Sequence, residues 1–127
     1  NDALDLSGSF VTVNTSTIEL VGDKGVSVGE GSTLYFHNLN ISSANFGIVA
    51  KDNSQVNGDI LSIKHTKYGI AAYQKKEEYG YQTQIVLNDA TFQHIQFKTF
   101  LEKGSRVTIN GRKEVANQEN VYEALFN

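Results

Sequence analysis

The amino-acid sequence predicts an all-β fold: a right-handed parallel β-helix, or solenoid, of about five coils, followed by a short C-terminal helical cap. Three observations predict it. Similar residues recur in register about every 22 residues, short segments alternate between apolar and polar residues, and the 127 residues include 11 glycines but no proline. Proline has no backbone N–H to donate, so its absence suits a chain in which each coil hydrogen-bonds to the next.

The repeat is defined by columns of similar residues at constant spacing. A serine or threonine recurs at intervals of 23, 22, 29 and 22 residues, and an apolar residue follows it two places later at the same intervals. A second apolar column and a glycine–apolar pair keep the same step. In chain order the columns are Ser9, Ser32, Ser54, Thr83 and Ser105; Val11, Leu34, Val56, Ile85 and Val107; Ile18, Ile41, Ile63 and Phe92; and Gly25-Val26, Gly47-Ile48 and Gly69-Ile70. Stacked coils turn such columns into ladders.

Each unit contains three short strands separated by turn residues. In the second unit these are residues 25–28, 33–36 and 39–41, where apolar and polar residues alternate as in half-buried strands. The predicted coils span residues 1–22, 23–45, 46–67, 68–98 and 99–110, so that residues 1–110 form the β-helix. The 29-residue interval adds about seven residues to the fourth coil, and we expect them to project as a loop near residues 75–81.

The two ends of the chain differ. Val121, Ala124 and Leu125 have helical spacing, which predicts that residues 111–127 cap the coils with a short amphipathic helix closing the C-terminal end. No such segment precedes the first coil, and its open strand edge predicts end-to-end self-association there. The chain contains no methionine, so we expect it to be a processed product or a piece of a longer protein.

Composition excludes several classes of function. Eleven Lys and Arg against 14 Asp and Glu give a net charge of −3, without the basic excess typical of nucleic-acid binding. No apolar run approaches the roughly 20 residues that span a bilayer. The absence of cysteine excludes disulfides, cysteine-ligated zinc and thiol catalysis. The sequence therefore predicts neither a nucleic-acid partner nor a membrane partner.

The columns over residues 1–110 resemble the right-handed parallel β-helix proteins of the pectin-lyase-like superfamily. The layout of residues 1–5, 22–25 and 45–47 is similar to that of the polygalacturonases. However, Lys24 replaces the second acid of that family's Asp-Asp pair, and Phe46 occupies its histidine position. An inverting glycosidase needs two carboxylates, so we reject this activity. Residues 22–30, 51–54 and 68–80 also resemble β-helix modules of bacterial cell-surface proteins, which implies an accessory or structural module.

Polar residues concentrate at the corner that follows the glycine–apolar strand. Glu30 and Asp52 occupy one column on adjacent coils, so their carboxylates are expected near each other, in a pair able to bind Ca²⁺. In β-helix polysaccharide lyases a basic side chain abstracts a proton beside a uronate carboxylate, and Lys51, Tyr73 and Lys75 have the chemical types for this. The alternative interpretation is a salt-bridged corner that holds the loop in place, and we favour it.

The segment from residue 73 to 81 mixes aromatic side chains with both signs of charge. Such residues contact sugars, so we predict ligand binding by Lys51, Tyr73, Lys75, Lys76, Glu78 and Tyr79, with a solvated loop as the alternative. His65 and His94 fall in one column and are expected to stack. A stacked pair is able to ligate a metal, but ladder packing is the favoured role. Lys24 is expected to join an aromatic ladder with Phe46 and Tyr68.

The sequence thus predicts a non-catalytic β-helix segment of a larger bacterial surface or secreted protein, serving as a scaffold or glycan-contact module. The alternative function is a lyase-like, polysaccharide-active enzyme fragment with an acidic substrate. No cofactor is predicted, with Ca²⁺ at Glu30 and Asp52 as the alternative. The predicted partner is a polysaccharide, and the predicted location is extracellular or at the cell surface.

Overall fold

The computed structural model describes residues 2–19, 22–80 and 82–126. It is a β-solenoid of about five turns, as the sequence predicts. Positions 1, 20, 21, 81 and 127, which belong to the predicted first coil, loop and tail, lie outside the described residues. The elements are β1 (Leu4–Ser7), β2 (Phe10–Glu19), β3 (Lys24–Gly29), β4 (Thr33–Ser42), β5 (Phe46–Lys51), β6 (Gln55–Tyr73), β7 (Gln84–Leu101), β8 (Arg106–Ile109), β9 (Arg112–Lys113) and α1 (Val121–Phe126).

The strands form three faces. The first face contains β1, β3, β5 and the C-terminal parts of β6 and β7, which pair in parallel. The N-terminal parts of β2, β4, β6 and β7, together with β8, form the second face, and the remaining middle or C-terminal parts of the long strands form the third. The long strands turn a corner within their own length, so each coil presents its residues in three directions.

The register confirms the columns predicted from the sequence. Val11 pairs with Leu34, and the same column continues through Val56 and Ile85 to Val107. The second apolar column pairs in the same way, as Ile18, Ile41, Ile63 and Phe92. The glycine–apolar column aligns as Val26, Ile48 and Ile70. Most of these residues are buried in the core, and Val11, Ile18 and Phe92 pack against it while partly buried.

One column of the core places a large side chain next to a residue with no side chain on the adjacent coil. Phe36, Gly58 and Leu87 occupy successive rungs of the second face. A Cβ atom added to Gly58 would overlap the ring of Phe36, which is fully buried. Gly58 therefore provides the space that the phenylalanine of the preceding coil fills.

The C-terminal end of the core is covered by residues 112–118. Strand β9 turns back antiparallel onto β8, the Glu114 N–H donates to the carbonyl of Val107 at 2.8 Å, and Ala116 packs against the core. The predicted helix is present as α1, but it lies on the outer side of the first face. Val121 is fully buried there, in the same cluster as Val49 and Ala71.

The first coil has strand edges without a partner among the described residues. Among the described residues, β1 pairs only with β3 and β2 only with β4, so each has one free edge. A cavity of about 200 Å³ opens between the side chains of the first two coils, including Leu4, Val13 and Ile18. Phe10 at the start of β2 is 77% exposed. No helix in the described part of the chain has the length and apolar character needed to cross a membrane.

Candidate functional site

The loop between β6 and β7 is held by a buried carboxylate. One carboxylate oxygen of Asp52, Oδ1, accepts hydrogen bonds from the backbone N–H groups of Lys75 and Lys76, both at 2.7 Å. Asp52 is fully buried and sits at a left-handed corner with φ of 56°. Because two consecutive backbone N–H groups donate to the same buried oxygen, this side chain fixes the path by which the loop leaves the coil.

Glu102 holds the loop and the helix together. Its Oε1 accepts a hydrogen bond from the backbone N–H of Gln74 at 3.1 Å, and its Oε2 accepts one from the N–H of Val121 at 2.9 Å. The residue is only 8% exposed. Because Gln74 begins the loop and Val121 begins α1, one carboxylate sets the spacing between these two segments.

An open groove of about 770 Å³ lies between the loop and the segment that leads into α1. Its walls combine amides, carboxylates, two lysines and one aromatic ring. They are formed by Gln74, Lys75, Glu77, Glu102, Lys103, Gly104, Gln118, Glu119, Asn120, Tyr122 and Glu123. Lys75 Nζ lies 5.4 Å from the ring centroid of Tyr122, within cation–π range. Amide and carboxylate groups beside an aromatic ring are able to hydrogen-bond hydroxyls and to pack against apolar ring faces.

The residues of the predicted lyase set have different environments. Lys51 is half-buried along Gly29 of the preceding coil, and burial lowers the pKa of its ammonium group. Tyr73 is the rung partner of Lys51 but is only 2% exposed, because the rings of Tyr122 and Phe126 pack on it. Burial raises the pKa of the Tyr73 hydroxyl. Of these three residues, only Lys75 lines the groove.

The other predicted ligand-binding residues lie outside the groove. Lys76 Nζ pairs with Glu30 at 3.2 Å. Hydrogen bonding with Glu30 raises the pKa of Lys76, and hydrogen bonds from Ser7 and Lys76 lower the pKa of Glu30. Glu78 lies in a short 3₁₀ turn of residues 77–79 and is exposed, and Tyr79 in the same turn is 39% exposed.

Both carboxylates of the alternative Ca²⁺ site already have partners, although Asp52 Oδ2 is buried without a hydrogen-bond partner among the described residues. Glu30 pairs with Lys76, while Asp52 accepts two N–H groups from the loop. The described residues contain no group of three or more His, Cys, Asp or Glu side chains placed to hold a metal ion. A Ca²⁺ site at this corner stays a prediction, and an ion there would compete with the Lys76 ammonium group.

The expected ladder of Lys24, Phe46 and Tyr68 is present. Lys24 Nζ lies 5.9 Å from the ring centroid of Phe46, which stacks on Tyr68 at 4.9 Å. Lys24 also pairs with Asp23 at 2.7 Å and lies 5.1 Å from the ring centroid of Phe126. The ladder thus connects the first face to the end of α1.

Several residues that shape the groove were missed by the sequence reasoning, above all Glu102 and Tyr122. A signal for Glu102 was present. The structure pairs Ala72 with Leu101, so Glu102 continues the column of Lys51 and Tyr73 into the fifth coil. For Tyr122 there was no repeat signal, because the tail lies outside the coils.

A polar cluster lies at the corner between the second and third faces. Asp59 Oδ2 accepts a hydrogen bond from the Tyr35 hydroxyl at 2.6 Å and lies 3.2 Å from His37 Nδ1, while Oδ1 accepts from the Asn88 amide at 3.2 Å. The hydrogen bond from Tyr35, followed by that from His37, lowers the pKa of the Asp59 carboxyl. The same contact raises the pKa of Tyr35.

No protein-family model matches the chain, and comparison with curated proteins and with solved structures gives no match.

Proposed function

We propose that this chain is a non-catalytic glycan-contact module of an extracellular or cell-surface bacterial protein. We further propose that its β-solenoid belongs with the pectin-lyase-like parallel β-helices, on the basis of the ladder columns of residues 1–110. The groove between the loop and α1 is the proposed contact surface. One observation carries the proposal: buried carboxylates hold both walls of the groove through backbone N–H groups.

Preorganised walls favour binding, because a ligand then does not have to order the loop itself. The groove also carries the chemistry that a sugar chain needs. Gln118 and Asn120 supply amide donors and acceptors, Glu123 supplies acceptors, and Tyr122 supplies an aromatic surface. Its two lysines balance part of this negative charge, so neutral and acidic glycans are both candidate ligands.

The test is affinity electrophoresis of the intact chain in gels that contain a neutral or an acidic polysaccharide. The double variant Gln118→Ala/Glu123→Ala removes two polar groups from the groove wall. We expect about fivefold or greater weakening for a polysaccharide that binds, which corresponds to roughly one lost hydrogen bond. The matched control, Gln55→Ala/Glu19→Ala, changes exposed residues of the second and third faces and should bind like the wild type. Equal weakening in both variants, or the absence of retardation by every polysaccharide, would contradict the proposal.

The lyase alternative is distinguished by turnover. The chain is incubated with alginate, pectate and chondroitin, with and without Ca²⁺, and the ultraviolet absorbance of the unsaturated product is followed. We expect no product, because Tyr73 is covered by α1. Product formation that is lost in Lys51→Ala or Tyr73→Phe would overturn the non-catalytic proposal and assign the catalysis to this corner.

A further inference from the structure

A cluster of histidine, lysine and aromatic side chains lies at the corner between the third and first faces, on coils three and four. We call it the histidine corner and define it as residues 64–68 of β6 and residues 93–97 of β7. The two segments are in register, with Lys64 opposite Gln93 and Tyr68 opposite Phe97. The groove lies after the first face, whereas this corner lies before it, so the two surfaces use different residues.

The histidines of this corner stack as predicted. The ring centroids of His65 and His94 are 4.8 Å apart and the ring planes differ by 3°. Both residues have left-handed backbone conformations, with φ of 54° and 56°, and both are exposed. The coil geometry therefore holds two parallel imidazoles at the rung spacing and facing solvent.

Positive charge surrounds the stacked pair. Lys64 and Lys67 are exposed, and neither forms an ion pair with any described residue. The nearest acids in the rung columns of Lys64 and Lys67 are Glu19 and Asp23, each two rungs away and about 10 Å distant at the usual strand spacing, and Asp23 pairs with Lys24. Corner residues of the second coil, 43–45, are uncharged. On the C-terminal side of the corner, Lys98 lies 3.8 Å from Glu114, and this pair adds no net charge. Lys64 and Lys67 therefore give the corner a net positive charge.

An aromatic stack ends at the same corner. Tyr68 stacks on Phe97 with ring centroids 5.2 Å apart, and Lys67 Nζ lies 5.4 Å from the Tyr68 ring centroid. Phe97 is 41% exposed. Strand β8 pairs with β7 only at residues 84–87, so no described strand covers Phe97 from the C-terminal side. An aromatic surface thus lies beside the cationic groups.

We propose that the histidine corner binds the anionic substituents of an acidic polysaccharide, carboxylate or sulfate, and binds them more tightly as the pH falls. Lys64 and Lys67 supply ammonium groups, and the imidazoles add positive charge when they are protonated. Phe97 offers its exposed ring to the sugar beside the anionic group. The inference takes its ligand class from the proposed glycan contact but depends on none of the groove residues. Nucleic acid is the less favoured polyanion, because its affinity grows with the number of phosphates that the protein neutralises, and this corner offers two lysines and, when protonated, two imidazoles.

The experiment measures binding of dextran sulfate, carboxymethyl dextran and uncharged dextran to the intact chain at about pH 7.5 and about pH 5.5. We expect both anionic polymers to bind about fivefold more tightly at the lower pH, as two exposed ion pairs imply, and dextran not to bind through this corner. His65→Asn/His94→Asn should abolish the pH dependence while keeping the affinity at the higher pH. Asparagine tolerates the left-handed backbone, so this variant should fold.

Two further variants complete the test. Lys64→Gln/Lys67→Gln should lose affinity at both pH values, and His37→Asn, which changes the histidine outside the corner, should bind like the wild type. The groove variant Gln118→Ala/Glu123→Ala should keep the pH-dependent binding, so failure of the groove proposal is distinguishable from failure of this one. The inference is overturned if affinity is independent of pH, if His37→Asn has the same effect as the double histidine variant, or if single-stranded DNA binds through these residues more tightly than dextran sulfate.

Discussion

Removal of the Glu102 carboxylate should release helix α1 and the start of the loop together. Glu102 accepts the N–H of Val121 within a buried environment and the N–H of Gln74 within a partly buried one. In Glu102→Ala both N–H groups lose their acceptor. The N–H of Gln74 is able to turn to water, but that of Val121 is covered by the first face, because Val121 itself is fully buried.

The expected cost follows from these two contacts. A hydrogen bond to a charged group contributes about 1.5–3 kcal/mol, and a buried donor left without a partner costs about 1–3 kcal/mol. Because Gln74 recovers part of its loss through water, we expect a total of about 2–4 kcal/mol. The loss should appear as local opening of α1, since the six-residue helix is joined to the coils mainly through this contact and its apolar face.

Amide hydrogen exchange measures this opening directly. At about 1.4 kcal/mol per factor of ten, protection of the Val121 amide should fall by about 30-fold to 1000-fold. Glu119→Ala is the control, because Glu119 is 71% exposed and its described ion pair is with Lys103. Glu102→Gln should give an intermediate value, since its amide keeps one acceptor. Unchanged protection of Val121 in Glu102→Ala, or an equal fall in Glu119→Ala, would refute the assignment of Glu102 as the anchor.

Three further predictions follow from the core, the polar cluster and the open end. Gly58→Ala should lower the free energy of unfolding by about 1–3 kcal/mol in urea, because the new methyl group overlaps the Phe36 ring. Adding Phe36→Leu to this variant should recover part of the loss, and unchanged stability of Gly58→Ala would contradict this packing. The contribution of Asp59 to the free energy of unfolding should be present above the ordinary carboxyl pKa and should disappear as the pH falls through its lowered folded pKa. Asp59→Asn should lack this acid sensitivity, and an NMR titration that finds an unshifted pKa for Asp59 would contradict the Tyr35 contact. The unpaired edges of β1 and β2 should produce concentration-dependent end-to-end association, and Phe10→Lys should weaken it; sedimentation velocity that finds monomer at every concentration would contradict this prediction.

The coils were predictable from the sequence because their register depends on inward side chains that repeat. Each apolar column requires a similar residue at the same place on the next rung, so the spacing of Val11, Leu34 and Val56 reports the pairing directly. The position of α1 had a weaker signal. Residues 48–50 and 70–73 lack alternation, which is typical of strands buried on both faces. This pattern indicates that something covers the first face, but it does not say which segment does so.

The anchors of the groove were not predictable in the same way. Asp52 and Glu102 bind backbone N–H groups 19 to 28 residues away, and such contacts depend on the path of a loop and a tail that have no repeat. The residue types gave no guide either, because a backbone N–H is present at almost every position. The sequence indicated a corner held by charge, but only the fold identifies the loop amides as partners of Asp52.

The division between repeating core and non-repeating anchors has a consequence for binding. Inward columns fix the coils, and buried carboxylates fix the loop and α1 through main-chain groups, so the exposed side chains that line the groove contribute little to the fold. The same holds at the histidine corner, where the backbone positions His65 and His94 while their rings face solvent. Exposed side chains on a fixed frame are able to change without unfolding the solenoid. Binding specificity in this chain should therefore respond to single substitutions at Glu123 or Lys67 that leave the free energy of unfolding within about 0.5 kcal/mol of the wild type.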